Sequence, residues 1–81
     1  MNFEYDETKS SINKSKHNID FKEAQRLWED PYSFEIPSSQ SADEDRFLVL
    51  GQIDSKNYTA IISVRHSREK ETKLYESIRT R

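Results

Sequence analysis

The sequence predicts a small α+β domain, with an antiparallel sheet, two N-terminal helices and one C-terminal helix. Three patterns support this class. Two segments near the N-terminus begin with good helix caps, several short segments alternate apolar and polar residues, and the last segment has apolar residues four positions apart. The predicted order is strand, two helices, three strands and a helix. A length of 81 residues fits a single domain, residues 1–81.

A strand at residues 3–5 is predicted to lead into a polar helix. Asp6 can cap this helix, which is expected to reach His17 or Asn18. One helix face collects polar and basic side chains, because they lie three to four positions apart. They are Lys9, Asn13, Lys16 and His17. A solvated surface is the alternative interpretation of this face.

The second helix has an apolar face and clear ends. Asp20 followed by Glu23 resembles a capping box. Asp30-Pro31 ends the helix, since proline cannot continue the hydrogen-bond ladder. Trp28 is expected to anchor the core rather than to stack on a nucleic-acid base.

The middle of the chain predicts three strands. Residues 33–37 alternate and end in a proline, which is typical of an edge strand, and a mobile acidic loop is expected over residues 38–45. Residues 46–50 are apolar on both faces and predict a central strand. Residues 58–64 are expected to pair with it as a hairpin, across a turn at residues 54–57.

The final segment combines a predicted helix with a basic charge. Ser67 is a candidate cap for a helix that ends near Ile78, with Leu74 on its narrow apolar stripe. The whole chain has a net charge of −2, but six basic and three acidic residues lie between positions 65 and 81. This uneven distribution predicts a local face that binds anions.

Composition excludes several classes of function. The chain has no cysteine, which excludes disulfide scaffolds, thiol catalysis and cysteine-based zinc sites, and a single glycine excludes glycine-rich phosphate loops. We expect no cofactor and no bound metal. No signal segment or membrane span is recognisable, so the predicted location is the cytoplasm.

A series of short motifs follows in a distinctive order. The motifs are Phe3-Glu4-Tyr5-Asp6, Lys9, Asn13, Lys16-His17, Phe21-Lys22-Glu23-Ala24, Asp30-Pro31, Glu44-Asp45-Arg46-Phe47, Gly51, Ile62-Ser63-Val64-Arg65, Glu71 and Tyr75. Together they resemble the BrnT family of toxins, over nearly the whole chain. The resemblance implies a RelE-like α+β fold with an antiparallel sheet.

The chain departs from that family in its second half. The strand matching Tyr58-Thr59-Ala60-Ile61 is normally followed by a turn and a further strand that carries Ile-Ser-x-Arg. Here the two run together, so roughly ten residues, about a turn and one short strand, are missing. A partner strand, a domain swap or a rearranged terminal helix could compensate.

The resemblance implies a metal-independent endoribonuclease that inhibits translation. The implied partners are an RNA substrate, a BrnA-like antitoxin with a ribbon-helix-helix domain, and operator DNA that is bound only through the antitoxin complex. We expect no membrane partner, and a homodimer is left open.

Metal-free RNA cleavage needs a base, an acid and a cation that stabilises the phosphorane. The candidates implied by the resemblance are Arg46 and Arg65 as phosphate ligands, His17 as acid or base, and Tyr75 as a supporting or stacking residue. Lys9, Asn13, Lys16 and Arg68 are the expected RNA-binding residues. The alternatives are surface charges for the arginines and a helix C-terminal cap for His17. His66 matches no family position.

Other functions remain as alternatives. The acidic residues Asp43, Glu44 and Asp45 could attract a divalent ion, but their expected loop makes a metal nuclease the weaker prediction. An inactive, strand-deleted relative that still binds the antitoxin is the main alternative. A domain that only dimerises through an exposed sheet edge is the third.

Overall fold

The computed structural model describes residues 3–68 and 70–81. Its helical part contains α1, Glu7–His17, and α2, Phe21–Ala24, which continues as a 3₁₀ helix, Gln25–Glu29. Its sheet contains β1, Phe34–Gln40, β2, Glu44–Ile53, β3, Lys56–His66, and β4, Glu71–Thr80. The predicted α+β class, with two N-terminal helices and an antiparallel sheet, is confirmed.

The predicted caps set the limits of both helices. The Asp6 carboxylate accepts hydrogen bonds from the first-turn amides of α1, and Asn18 ends that helix in a left-handed conformation. Asp20 and Glu23 form the predicted capping box of α2. Lys14 then reaches Glu23 at 2.7 Å and ties the two helices together.

The sheet is a meander in the order β1-β2-β3-β4, and each pair of neighbours is antiparallel. The predicted hairpin between the second and third strands is confirmed. Its two-residue turn consists of Asp54 and Ser55, with φ of 50° and 69°. A two-residue turn with both residues in the left-handed conformation is favoured in hairpins, because its twist matches that of the two strands. Arg26 donates two hydrogen bonds to the Asp54 carboxylate and fixes the turn against the 3₁₀ helix.

The helices cover one face of the sheet, and the core lies between them. Phe21, Ala24 and Leu27 are its helical members. The sheet contributes Val49, Ile53, Tyr58, Ala60, Ile62, Val64, Tyr75 and Ile78. The predicted amphipathic second helix therefore supplies the apolar layer. Burying this surface is the main favourable contribution to folding.

The prediction of a C-terminal helix is wrong, because residues 71–80 form strand β4. The expected stripe of Leu74 and Ile78 does not form, because a β-bulge between them places these two side chains on opposite faces of the strand. Tyr75 pairs with Ile62 and Ser77 with Ile61, so Glu76 is an extra residue. The bulge brings Tyr75 and Ile78, three positions apart as in a helix, onto the same buried face of the strand.

A rearranged terminal helix, one of the three expected compensations, does not form, because strand β4 occupies this segment and pairs with β3. Without β4, strand β3 would leave a row of unpaired backbone groups at the sheet edge. The outer edge of β4 is covered in turn, because Glu4 bridges it beside Leu74 and the Asn13 amide oxygen accepts a hydrogen bond from the Ile78 amide.

Two smaller predictions also change. The predicted strand at residues 3–5 is a single parallel bridge between Glu4 and Leu74. The loop expected over residues 38–45 is limited to residues 41–43, since β1 continues to Gln40 and β2 begins at Glu44. Backbone pairing is independent of side-chain polarity, so polar residues extend an edge strand as long as their amides find partners.

Within residues 3–68 and 70–81, no helix packs on the second face of the sheet. Its apolar side chains include Phe34 and Ile36 on the edge strand, with exposed fractions of 53% and 41%. Ile12, the apolar residue of α1, is also exposed, whereas Ser10 and Asn13 of that helix are buried. Helix α1 therefore attaches through hydrogen bonds, such as that from the Phe21 amide to the Ser10 hydroxyl.

Gly51 offers a direct test of the contact between the helices and the sheet. A Cβ atom at this position would lie 2.9 Å from Leu27 Cδ1 and 3.0 Å from Ser33 Cβ. We expect Gly51→Ala to lower the free energy of unfolding by about 1–3 kcal/mol, as overpacking does elsewhere. Urea unfolding measures the change. Ser38→Ala, on the exposed edge strand, is the control, and equal stability of the two variants would contradict the close packing.

Candidate functional site

Arg46 and Arg65 lie together on the open face of the sheet. Arg46 Nε is 3.1 Å from Glu44 Oε1, and Arg65 Nε is 3.2 Å from Glu44 Oε2. The strand register explains this arrangement, because Glu44 is directly opposite Arg65 and two residues from Arg46 on its own strand. Hydrogen bonds from Arg46 and Arg65 lower the pKa of Glu44. Two guanidinium groups therefore hold one carboxylate at an exposed sheet end.

Ser63 lies beside this arginine pair. It is directly opposite Arg46 in the strand register and has no exposed surface. Its hydroxyl has no hydrogen-bond partner among the described residues. A buried hydroxyl without a partner is uncommon in proteins, because it loses its hydrogen bonds to water on folding.

His66 lies at the same end of the sheet, on the face that the helices cover. Its Nε2 is 3.0 Å from Asp45 Oδ2, and its Nδ1 is 3.8 Å from Glu71 Oε2. The hydrogen bond with Asp45 raises the pKa of His66 above 6.5, and charge attraction from Asp45 and Glu71 acts in the same direction. The imidazole side chain remains 40% exposed.

A cleft of about 180 Å³ opens beside His66. Its apolar lining comes from Trp28 and from sheet residues that face the helices, namely Phe47, Val49, Ile62 and Val64. Its charged lining comes from Glu35, Asp45, His66, Glu71 and Lys73. Lys73 Nζ lies 5.9 Å from the centre of the Trp28 ring, a cation–π distance.

Tyr75 is part of the core and is 1% exposed. Its hydroxyl donates to the Ala24 carbonyl at 2.7 Å and accepts from Trp28 Nε1 at 2.8 Å. Burial raises the pKa of Tyr75 far above its usual value. The structure therefore places this expected site residue behind the sheet, on the face opposite Arg46 and Arg65.

The four side chains predicted to share one face of α1 have different contacts in the structure. Lys9 pairs with Glu76 at 3.1 Å, and Asn13 is buried with both amide atoms in hydrogen bonds to backbone groups of Ile19 and Ile78. These contacts show that α1 runs along β4 toward Thr80. Lys16 and His17, both exposed, therefore lie near the end of the sheet opposite Arg65.

The distance along β4 separates the predicted residues into two groups. Arg65 is opposite Thr72, whereas Asn13 contacts Ile78, six residues further along the strand. At about 3.3 Å per residue this is roughly 20 Å. Arg46, Arg65 and the exposed Arg68 belong to one end of the sheet, and Lys16 and His17 belong to the other.

His66, Asp45 and Glu35 were not predicted to line one cleft, although the structure brings them together. The two-residue turn at Asp54-Ser55 contained the signal, because it fixes the register and places Glu44 opposite Arg65. Alternation along the strands then puts Asp45 and His66 on the other face. The contribution of Glu71 depends on β4, which the predicted helix concealed.

No three side chains among the described His, Asp and Glu residues form a group that could hold a metal ion. Within the described residues no helix is long and apolar enough to cross a membrane. Both statements concern residues 3–68 and 70–81.

Comparison with known families assigns the chain to a class. Residues 5–72 match the family model described as "Ribonuclease toxin, BrnT, of type II toxin-antitoxin system". The match includes Arg46, Arg65 and His66, and it ends just after β4 begins. The chain belongs to the BrnT family of ribonuclease toxins. No curated protein matched the sequence.

The His66–Asp45 contact predicts a measurable change in titration. We expect Asp45→Asn to lower the pKa of His66 toward 6.5, because the hydrogen bond to a charged acceptor is its largest cause. Because the pKa of His66 is raised in the folded protein, protonated His66 stabilises the fold. This stabilisation is complete at pH values below the pKa of the unfolded state, and it is lost as the pH rises through the pKa of the folded state. NMR titration of the imidazole measures the shift. An unchanged pKa in Asp45→Asn would contradict the contact, and Asp54→Asn, at the distant turn, is the control.

The position of Tyr75 predicts a structural role. Removing its hydroxyl leaves the Ala24 carbonyl and the Trp28 indole without a partner, so Tyr75→Phe should lower the free energy of unfolding by about 1–3 kcal/mol. Denaturant unfolding tests this expectation. Stability equal to that of Tyr32→Phe, whose ring is exposed, would argue against the buried bonds.

Proposed function

We propose that the chain is a metal-independent endoribonuclease toxin that cleaves RNA and inhibits translation. One observation carries the proposal. Arg46 and Arg65 converge on a single carboxylate at an exposed sheet end, and a histidine with a raised pKa follows directly in the sequence. The arginines lie on the open face of this sheet end and His66 lies on the covered face, so the end combines an anion site with an acid–base group for a phosphate that lies across it.

The arginine pair supplies the charge that phosphate cleavage requires. A guanidinium group stays protonated and binds phosphate oxygens through two parallel hydrogen bonds. Glu44 holds Arg46 and Arg65 close together in the free protein. A phosphate of the RNA would replace that carboxylate, and the two cations would then stabilise the charge that develops at phosphorus.

His66 is the acid–base candidate, in place of His17. In the reaction the ribose 2′-oxygen gives its proton to a water molecule and attacks phosphorus, and the bond from phosphorus to the 5′-oxygen breaks as that oxygen takes a proton from His66. A raised pKa increases the protonated fraction of His66 near neutral pH, which suits the proton donor. His17 lies near the other end of the sheet and is not retained.

Position and existing contacts also shorten the list of expected RNA-binding residues. Arg68 lies two residues after His66, in the connection to β4, and is kept as a phosphate contact. Lys9, Asn13 and Tyr75 already have partners inside the fold and are not retained. Lys16 would meet only an RNA that extends across the molecule.

Membership of the BrnT family implies a protein partner for this chain. A type II toxin of this family has an antitoxin partner. We assign a ribbon-helix-helix antitoxin to that role, with operator DNA bound through the complex, and the cytoplasm as the location. The open sheet face, where Phe34 and Ile36 are exposed on the same side as the arginines, supports a surface that a protein can cover.

The decisive experiment is RNA cleavage in EDTA. The purified chain is incubated with a defined single-stranded RNA, beside the double variant Arg46→Ala, Arg65→Ala. We expect cleavage by the parent chain and a rate at least about 100-fold lower in the variant, the size of effect seen when one charge-stabilising donor is removed elsewhere. A charge-matched control is Arg79→Ala, Arg81→Ala, at the opposite sheet end.

The two histidines are compared in the same assay. His66→Gln should lose about 100-fold or more in rate, as expected for a general acid, while His17→Gln should cleave normally. Cleavage that requires a divalent metal, or that survives both arginine substitutions, would reject the proposed site. Circular dichroism of each variant verifies that it is folded.

An antitoxin-binding protein without catalytic activity is the second candidate. The observation that favours it is the hydrogen bond that each arginine donates from Nε to Glu44, because this carboxylate competes with a phosphate. A folded chain that binds its antitoxin but cleaves no RNA, and whose Glu44→Gln variant cleaves none either, would establish this function instead.

A further inference from the structure

The cleft beside His66 has an apolar lining, which plays no part in phosphate binding by the arginine pair. Trp28 and Phe47 contribute aromatic surface, and aliphatic side chains of the sheet complete the apolar lining. Its volume of about 180 Å³ is below the roughly 300–1,000 Å³ typical of pockets for drug-sized ligands. The cleft therefore suits one small ring system, presented by a larger molecule.

Glu35 distinguishes this cleft from a simple apolar groove. Asp45 and Glu71 both have His66 beside them, at 3.0 Å and 3.8 Å. The Glu35 side chain makes no hydrogen bond or ion pair with any residue in the part of the chain described, yet it lines the cleft. The strand register explains its direction, because Glu35 is opposite Val49, whose side chain is in the core.

We propose that this cleft binds a guanine base of the RNA substrate, with Glu35 as the residue that recognises it. The inference rests on the proposed ribonuclease function. A carboxylate is an acceptor with two oxygens, and guanine presents two adjacent donors, N1–H and the N2 amino group, on its Watson–Crick edge. The other three bases present a donor beside an acceptor on that edge. Glu35 therefore selects guanine.

The apolar lining provides the remaining recognition. Proteins that read single-stranded RNA hold unstacked bases against aromatic side chains and bond their edges. Phe47 supplies such surface, and so does the part of Trp28 that lines the cleft, beside the contacts of its ring with Phe3 and Lys73. Base–aromatic contact favours all four bases alike, so base specificity depends on Glu35. Lys73 and His66 offset part of the charge of the three carboxylates in the lining.

The cleft also has the right position in the molecule. His66 lines it, and the neighbouring residue Arg65 belongs to the phosphate-binding pair on the other face. An RNA strand that crosses this end of the sheet would place one base in the cleft while its phosphates meet the arginines. The prediction is cleavage beside guanosine.

Trp28, the single tryptophan of the chain, gives a direct probe of binding. Its fluorescence is titrated with GMP, AMP, CMP and UMP. We expect GMP to act at a concentration at least about 10-fold lower than the other nucleotides, because a charge-assisted pair of hydrogen bonds is lost with each of them. Glu35→Gln and Glu35→Ala should remove this preference. Glu29→Gln, an exposed residue next to Trp28, should retain it.

A second measurement separates this inference from the proposed function. RNA containing all four bases is cleaved and its ends are mapped, with the parent chain and with Glu35→Gln. Cleavage without guanine preference overturns the inference and leaves the ribonuclease standing. A GMP preference without any RNA cleavage supports the base site and rejects the ribonuclease.

Two further outcomes would overturn the base site. An equal response of Trp28 to all four nucleotides would remove the role of Glu35. A response to N-acetyl-argininamide, with none to GMP, would show that the acidic groups of the cleft receive a basic side chain of a protein partner instead.

Discussion

The pairing of β3 with β4 supports the rest of the structure. It gives the backbone groups of β3 hydrogen-bond partners and brings Tyr75 and Ile78 into the core. It also adds Glu71 and Lys73 to the lining of the cleft. Tyr75 then connects the sheet to the helices, because its hydroxyl bonds to Ala24 and Trp28. One strand pairing thereby links the core, the helical layer and the candidate site.

At the end of the sheet where β2 begins and β3 ends, the site residues are distributed over both faces of the sheet. Neighbouring residues point to opposite faces, so Glu44 and Arg46 lie on the open face and Asp45 on the covered face. The same rule separates Arg65 from His66. A site built this way is open to a strand-like ligand that crosses the sheet end, and it offers cations on one side and an acid–base group on the other.

The last strand covers an edge of the sheet that would otherwise be open. An uncovered sheet edge leaves backbone groups unpaired, so it needs another segment to cover it. Residues 71–80 cover it here, with the bulge at Glu76 adjusting the strand so that two large apolar side chains face inward. The family match ends at residue 72, so nearly all of this strand lies outside it.

The sequence by itself determined the caps of both helices and the central hairpin, because each depends on residues close in sequence or on strict alternation. The choice of Arg46 and Arg65 came from the family resemblance, and the strand register brings the two side chains together. The tertiary structure decided that the last segment is a strand, because its pairing with β3 links residues far apart in sequence. It also decided that His17 lies at the sheet end away from the arginines, since α1 runs along β4 toward Thr80. Long-range pairing, unlike capping, leaves no local signal for the sequence to reveal.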